Sequence, residues 1–243
     1  KRFLIKLQTP LIKFIIKQAT KIIVANEYEK KIFLNFCNES KISIVKNGID
    51  LDELESSRSN FIEKYKLNQK FILFLGRFHQ VKGVDTLLES INLIKNNPVL
   101  NDIKFVIMGV DFGFQSQMEN KIKEYDLSPK ILLIKKPPRD DVISAYGQCE
   151  FLVLPSKWEL SPLTPLEGFA FKKTLISTTA HGIPYTIQHN ENCILVEPEN
   201  SLKLSNAILD LLNDRKKCEK LGESGYDLVH SICNSNHMVN ETM

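Results

Sequence analysis

The chain has no run of about 18 apolar residues, so no membrane-spanning helix is expected from it. It has no CxxC pair either. The five cysteines, Cys37, Cys149, Cys193, Cys218 and Cys233, are odd in number and scattered. That pattern argues against a disulfide framework and against a cysteine zinc site, and a reducing, cytoplasmic compartment is expected. Cys149 and Cys193 adjoin apolar runs and read as buried thiols. No GxxxxGK[ST] sequence is present, so a P-loop is excluded. Charge of one sign is scarce as well: 32 Lys and Arg against 29 Asp and Glu leave a net +3. That excess is too small to argue for nucleic acid, and no RNA- or DNA-binding motif supports such a partner. There is no internal repeat and no low-complexity segment.

What is present is a globular composition. The 243 residues are 43% hydrophobic and 25% charged, enough for a sizeable core. Eight short apolar runs stand out: "KIIVA" (21–25), "ISIVK" (42–46), "FILFL" (71–75), "KFVIM" (104–108), "ILLI" (131–134), "FLVL" (151–154), "TLIS" (174–177) and "CILV" (193–196). Most are solidly apolar rather than alternating, as strands buried on both faces are. Helical patterns lie between them. Val84, Leu87, Leu88, Ile91 and Ile94 fall on one face, as do Leu204, Ile208 and Leu211. The alternation predicts an α/β fold, a doubly wound parallel sheet of Rossmann-like type, plus a partial second domain. A polar, serine-containing stretch after "NGID" suggests a boundary, giving units 1–55, 56–230 and a tail 231–243. The first unit holds two candidate strands, too few for a domain, and reads as the end portion of a neighbouring one.

The start, "KRFLIKLQTPLIKFIIKQAT" (1–20), has lysines through every apolar stretch and is not a signal peptide. Two readings stand. It is a basic amphipathic helix in peripheral contact with a membrane, or an ordinary helix burying one face; the second is preferred.

In open α/β sheets, ligands bind past the carboxyl ends of the strands. Two stretches meet that condition. "FILFLGRFHQVKG" (71–83) is strand, Gly76 turn, Arg77, Lys82 and Gly83 before a helix. An Arg fork, a Lys point charge and a helix start together suit a diphosphate, although solvated loop charges would look the same in sequence. "FLVLPSKWELSPLTPLEGFA" (151–170) carries two carboxylates, Glu159 and Glu167, with Pro162 and Pro165 between them. The prolines exclude one continuous helix. A helix start with Thr164 as N-cap, Pro165 in the first position and Glu167 completing a capping box is expected. Glu159 is then left in the loop, and the amides of Leu163 and Thr164 face the cleft.

In this order, "NGID" (47–50), "GRFHQVKG" (76–83), "PSKWELSPLTPLEGFA" (155–170) and "NENCILVEP" (190–198) resemble glycosyltransferase family 4, the retaining enzymes of the GT-B fold. Glu159-x7-Glu167 matches that family's EX7E motif, and the resemblance runs from about residue 15 to residue 225. It implies a nucleotide-sugar donor, a UDP- or GDP-sugar, and a saccharide or lipid-linked acceptor. Arg77 and Lys82 would bind the diphosphate, Glu159 the transferred sugar and Glu167 the ribose, with Leu163 and Thr164 offering amides beside Gly76. Of these, Glu159, Arg77 and Lys82 would be catalytic. No cofactor is implied. No metal is demanded, because the two cations neutralise the leaving diphosphate and no DxD-type pair follows a strand.

Three departures stand against the family pattern. Pro162 replaces a Gly, Gly168 replaces an Ala, and "KKPPRDD" (135–141) replaces a Gly-containing base contact. Lys136 and Pro137 are weak candidates there. His181, in "TTAHGIPY" (178–185), is another, with a plain turn residue as the preferred reading. The family's acceptor half is almost absent, so a truncated transferase is expected, inactive by itself. A non-catalytic nucleotide-sugar module working with a separate acceptor domain is the alternative, and a nucleotide-sugar epimerase a lesser one.

Overall fold

The computed structural model describes residues 2–55 and 59–243, with side chains from residue 9 onward. Every expected apolar run becomes a strand. These are β1 (Ile22–Val24), β2 (Ile42–Ile44), β3 (Lys70–Leu75), β4 (Ile103–Gly109), β5 (Ile131–Lys135), β6 (Leu152–Val153), β7 (Leu175–Thr178) and β8 (Cys193–Val196). The helices are α1 (Arg2–Gln18), α2 (Glu27–Phe33), α3 (Leu51–Glu55), α4 (Phe61–Lys64), α5 (Val84–Ile94) and α6 (Gln115–Glu124). They continue with α7 (Arg139–Gln148), α8 (Thr164–Ala170), α9 (Ile183–Thr186), α10 (Ser201–Asn213), α11 (Arg215–Ser231) and α12 (Ser235–Thr242).

Six strands form one parallel sheet in the order β5-β4-β3-β6-β7-β8. The chain steps outward from β3 to β5, crosses back to β6, and steps outward the other way. β3 and β6 pair through Leu73 and Leu152, yet the connections that follow them leave in opposite directions. Their carboxyl ends therefore border a crevice, the switch point where such sheets bind ligands. Right-handed crossovers place α5 and α6 on one face and α7 and α8 on the other. α10 joins the first group and α11 the second. Both faces are thus covered, which is why Phe71, Ile72, Leu73 and Phe74 are all buried. The expected helical faces, Val84 to Ile94 and Leu204 to Leu211, are buried too.

One buried acid fastens the second helical group. Asp141 on α7 is 1% exposed. It accepts from Lys64 Nζ at 2.7 and 2.8 Å and from the Tyr65 hydroxyl at 2.6 Å. Burial pushes the Asp141 carboxyl up, but these two donors outweigh it and hold the group below its ordinary value.

The first unit is a separate two-stranded parallel sheet, β1 on β2, with Ile22 opposite Ile42. It is anchored to the loops at the carboxyl edge of the large sheet. Asn26 Nδ2 donates to Leu160 O at 2.9 Å and Asn47 Nδ2 to Ser161 O at 3.1 Å. It leaves Leu11, Phe14, Ile15, Ile23 and Phe36 each more than 40% exposed. The expected boundary between residues 55 and 56 borders residues 56–58, which lie outside the described residues. Residues 231–243 are not a loose tail. Ile49 N–H donates to Cys233 O at 3.0 Å and Ser235 N–H to Ile49 O at 2.9 Å, so α12 starts against the first unit. Among the described residues, no helix is long and apolar enough to cross a membrane.

Candidate functional site

The loops after β3 and β6 meet over the switch point. Gly83 has φ +68°, and a Cβ there would lie 1.8 Å from the Pro155 carbonyl oxygen. Glycine at this position lets the two loops touch backbone to backbone. Lys157 N–H then donates to Val81 O at 2.7 Å. The Lys157 ammonium reaches Asp85 at 2.7 Å and Glu199 at 3.0 Å, tying the second loop to the start of α5.

This seam sets Lys82 against Glu159. The Lys82 ammonium donates to Glu159 Oε1 in an ion pair whose side chains are 19% and 15% exposed. Ser156 Oγ stands 3.4 Å from the same oxygen. Leu75, Lys82, Ser156, Glu159, Pro162 and Thr164 line one narrow crevice of about 10 Å³, roughly one water's worth of room. Glu159 also lines a second, open cleft of about 440 Å³ between the first unit and the large sheet, with Val24, Asn47, Trp158, Ser161 and Met238. It therefore stands at the wall between the two spaces.

The other expected residues divide around this pair. Arg77 is exposed, its guanidinium 5.2 Å above the Phe112 ring, and it does not line the crevice. Gly76 turns the chain at the end of β3, its N–H donating to Met108 O at 3.1 Å. Leu163 is 47% exposed at the start of α8. Among the described residues, the Leu163 and Thr164 amides donate to no protein acceptor.

The expected capping box at Thr164 does not form. Leu163, already helical at φ −82° and ψ −31°, occupies the N-cap, so Thr164 and Pro165 take the first two helical positions. Glu167 N–H donates to Leu163 O at 3.0 Å, which puts Glu167 one place too far along to reach back to the cap. Its carboxylate goes elsewhere. Oε1 accepts from Arg139 Nη2 at 2.7 Å, and Oε2 accepts from the Tyr146 hydroxyl at 2.6 Å. Tyr146 is fully buried; burial, then the Glu167 charge, push its phenol well above the ordinary value, so it stays a donor. Arg139 also forks onto Glu53 of α3, at 3.0 and 3.2 Å. Neither Arg139 nor Tyr146 is marked out by local spacing. Arg139 sits inside the "KKPPRDD" departure, and only the fold brings it to Glu167.

His181 is held at φ +50°, its Nδ1 2.6 Å from the Tyr28 hydroxyl and its ring 5.7 Å from that of Trp158. These contacts clamp α2 of the first unit onto the large sheet. Lys136, at φ +50° and exposed, follows β5 at the sheet's outer edge, with Pro137 beside it. Neither lines the Lys82–Glu159 crevice.

Comparison with known proteins agrees with this architecture. Residues 56–228 match the family described as Glycosyl transferases group 1. An uncharacterized glycosyltransferase of Methanocaldococcus jannaschii is 31% identical over 84% of this chain and 59% of its own length. A sucrose-phosphate synthase structure from Thermosynechococcus elongatus superposes with a TM-score of 0.85 at 20% identity, over 98% of this chain and 60% of that one. An Anabaena protein solved in complex with UDP-glucose gives 0.78 at 17% identity, over 91% and 61%. The chain thus spans about 60% of the length of these proteins. The fold is that of GT-B enzymes, and the chain belongs to the group 1 glycosyl transferases.

Proposed function

We propose that this chain is the donor-binding part of a retaining glycosyltransferase, moving a sugar from a nucleoside diphosphate to a saccharide or lipid-linked acceptor. The observation that carries this is the Lys82–Glu159 pair at the switch point, with Glu159 also facing the 440 Å³ cleft. That cleft falls within the usual size range of small-molecule sites.

Lys82 offers three N–H donors, so it can hold a phosphate oxygen while still touching Glu159. Arg77, on the neighbouring exposed loop, swings from Phe112 to the second phosphate. As the sugar–oxygen bond lengthens, negative charge grows on the leaving diphosphate. Fixed cations and the Leu163 and Thr164 amides stabilise that charge, an effect typically worth several kcal/mol. Glu159 keeps its anionic face toward the electron-poor sugar, and Glu167 accepts from the ribose. An acceptor would approach through the larger cleft. The exposed apolar residues Leu11, Phe14 and Ile15 of the first unit suit a further acceptor domain, so this chain by itself binds donor nucleotide but transfers sugar poorly.

Calorimetric titration with UDP, GDP and ADP tests this. At least one should bind, and Lys82→Ala should weaken it by at least tenfold, the loss of one charge-assisted hydrogen bond. No binding by any of the three would refute the donor-site reading. Tight binding unaffected by Lys82→Ala would move the site away from the crevice.

A further inference from the structure

Glu167 is held from two sides by residues with no assigned role. A carboxylate oxygen has two lone-pair sites. Arg139 takes one on Oε1 at 2.7 Å and Tyr146 takes one on Oε2 at 2.6 Å. One site remains on each oxygen. The two donors come from different turns of α7, so the carboxylate plane cannot rotate without breaking one of them. A vicinal diol needs two acceptors at a fixed separation and in one plane. A carboxylate locked in this way offers that pair; a freely turning one does so only part of the time.

Arg139 is itself held. Its Nε and Nη2 fork onto Glu53 at 3.0 and 3.2 Å, and the same Nη2 reaches Glu167. Glu53 belongs to α3, which precedes the large sheet's own first helix, whereas Glu167 lies on α8. Arg139 is the shared cation between them, with carboxylates 114 positions apart in the chain.

We infer that Arg139 is a positioning residue: anchored on Glu53 and helped by Tyr146, it orients the Glu167 carboxylate to receive both ribose hydroxyls of the donor. This rests on the donor reading above and adds the determinant of sugar recognition in the nucleotide. It makes the ribose preference of the site depend on α3, outside the sheet that carries the site.

The test compares affinity for a nucleoside diphosphate and for its 2′-deoxy form, by calorimetry on the full chain. The probes are UDP with dUDP, GDP with dGDP and ADP with dADP. The wild type should prefer the ribo form by about tenfold, the loss of one hydrogen bond to a charged acceptor. Arg139→Met should bring that ratio toward one, Arg139→Lys should leave an intermediate value, and Glu53→Gln should lower it because the fork is lost. A residue that served folding alone would lower both affinities together and leave the ratio alone. Melting temperatures of the variants show whether each one folds. If the wild type binds none of the nucleotides, the donor reading fails and this inference falls with it. If the wild type binds but shows no ribo preference, or keeps it in both Arg139 variants, the assignment is overturned and the donor reading survives. A ratio reduced by Arg139→Met but untouched by Glu53→Gln overturns the share given to α3.

Discussion

Gly83→Ala should damage both stability and nucleotide binding, by an amount that can be worked from two glycines. Gly83 has φ +68° and Gly113 has φ +90°, so an alanine at either place carries a similar backbone cost, about 1–2 kcal/mol. The surroundings differ. At Gly113 no atom lies within 4 Å of the added carbon, whereas at Gly83 the Pro155 carbonyl oxygen would be 1.8 Å away. That contact involves backbone on both sides, so no side chain can swing clear. Forcing atoms into a filled space costs about 1–3 kcal/mol more. Gly113→Ala should therefore lower the melting temperature by roughly 2–8 °C and Gly83→Ala by roughly 4–20 °C, the larger drop in any one measurement, at about 2–4 °C per kcal/mol for a chain of this size. Differential scanning calorimetry reads both. The seam between the two loops would open, so nucleotide affinity should fall in Gly83→Ala and hold in Gly113→Ala. If the two variants melt together, the backbone contact at Pro155 is not what requires glycine, and the account of how the loops are registered is wrong.

Other outcomes follow from buried groups. Asp141→Asn removes the charge that Lys64 and Tyr65 satisfy and should cost about 1.5–3 kcal/mol in urea unfolding. The folded Asp141 carboxyl titrates lower than the unfolded one, so its contribution is fully present above about pH 4 and is lost as pH falls through the folded value. The variant should accordingly lose less stability than the wild type on acidification below pH 4, as chemical unfolding at stepped pH would show; equal losses would contradict it. Burial pushes the Cys149 and Cys193 thiols up to about 12. Both should resist a thiol reagent at pH 8 in the folded chain and react in denaturant, while half-buried Cys37 reacts first. Peptide mapping after labelling would expose any reversal of that order.

The sheet was legible because its strands are continuous apolar runs, and runs of that kind need helices on both faces. The strand order was not, since nothing local in "FILFL" or "FLVL" says that they pair. The Lys82–Glu159 meeting was legible only through the loops' common edge. The start of α8 was misread for a definite reason. Thr164 is a good N-cap residue, but Leu163 adopts helical angles just before it and shifts the register by one. Glu167 was then free to seek partners 21 and 28 positions away, on a helix where no periodicity marks Tyr146 and Arg139 as polar contacts. His181 showed a turn residue in sequence. Its hydroxyl partner, Tyr28, is 153 positions distant, and only folding makes the two a clamp between units.

The Lys82–Glu159 pair also bears on how the site empties. A bare cation in a crevice holds an anion by default, and ligand departure must leave it unbalanced. On the donor reading Lys82 keeps its Glu159 partner throughout, so a departing phosphate would leave the cation already balanced. Binding would then add a second anion to a cation already partnered, rather than fill a positive hole. Such a site should show a shallow dependence on ionic strength and little appetite for stray phosphate. It should let go of the spent nucleotide without waiting for a counter-ion from solution.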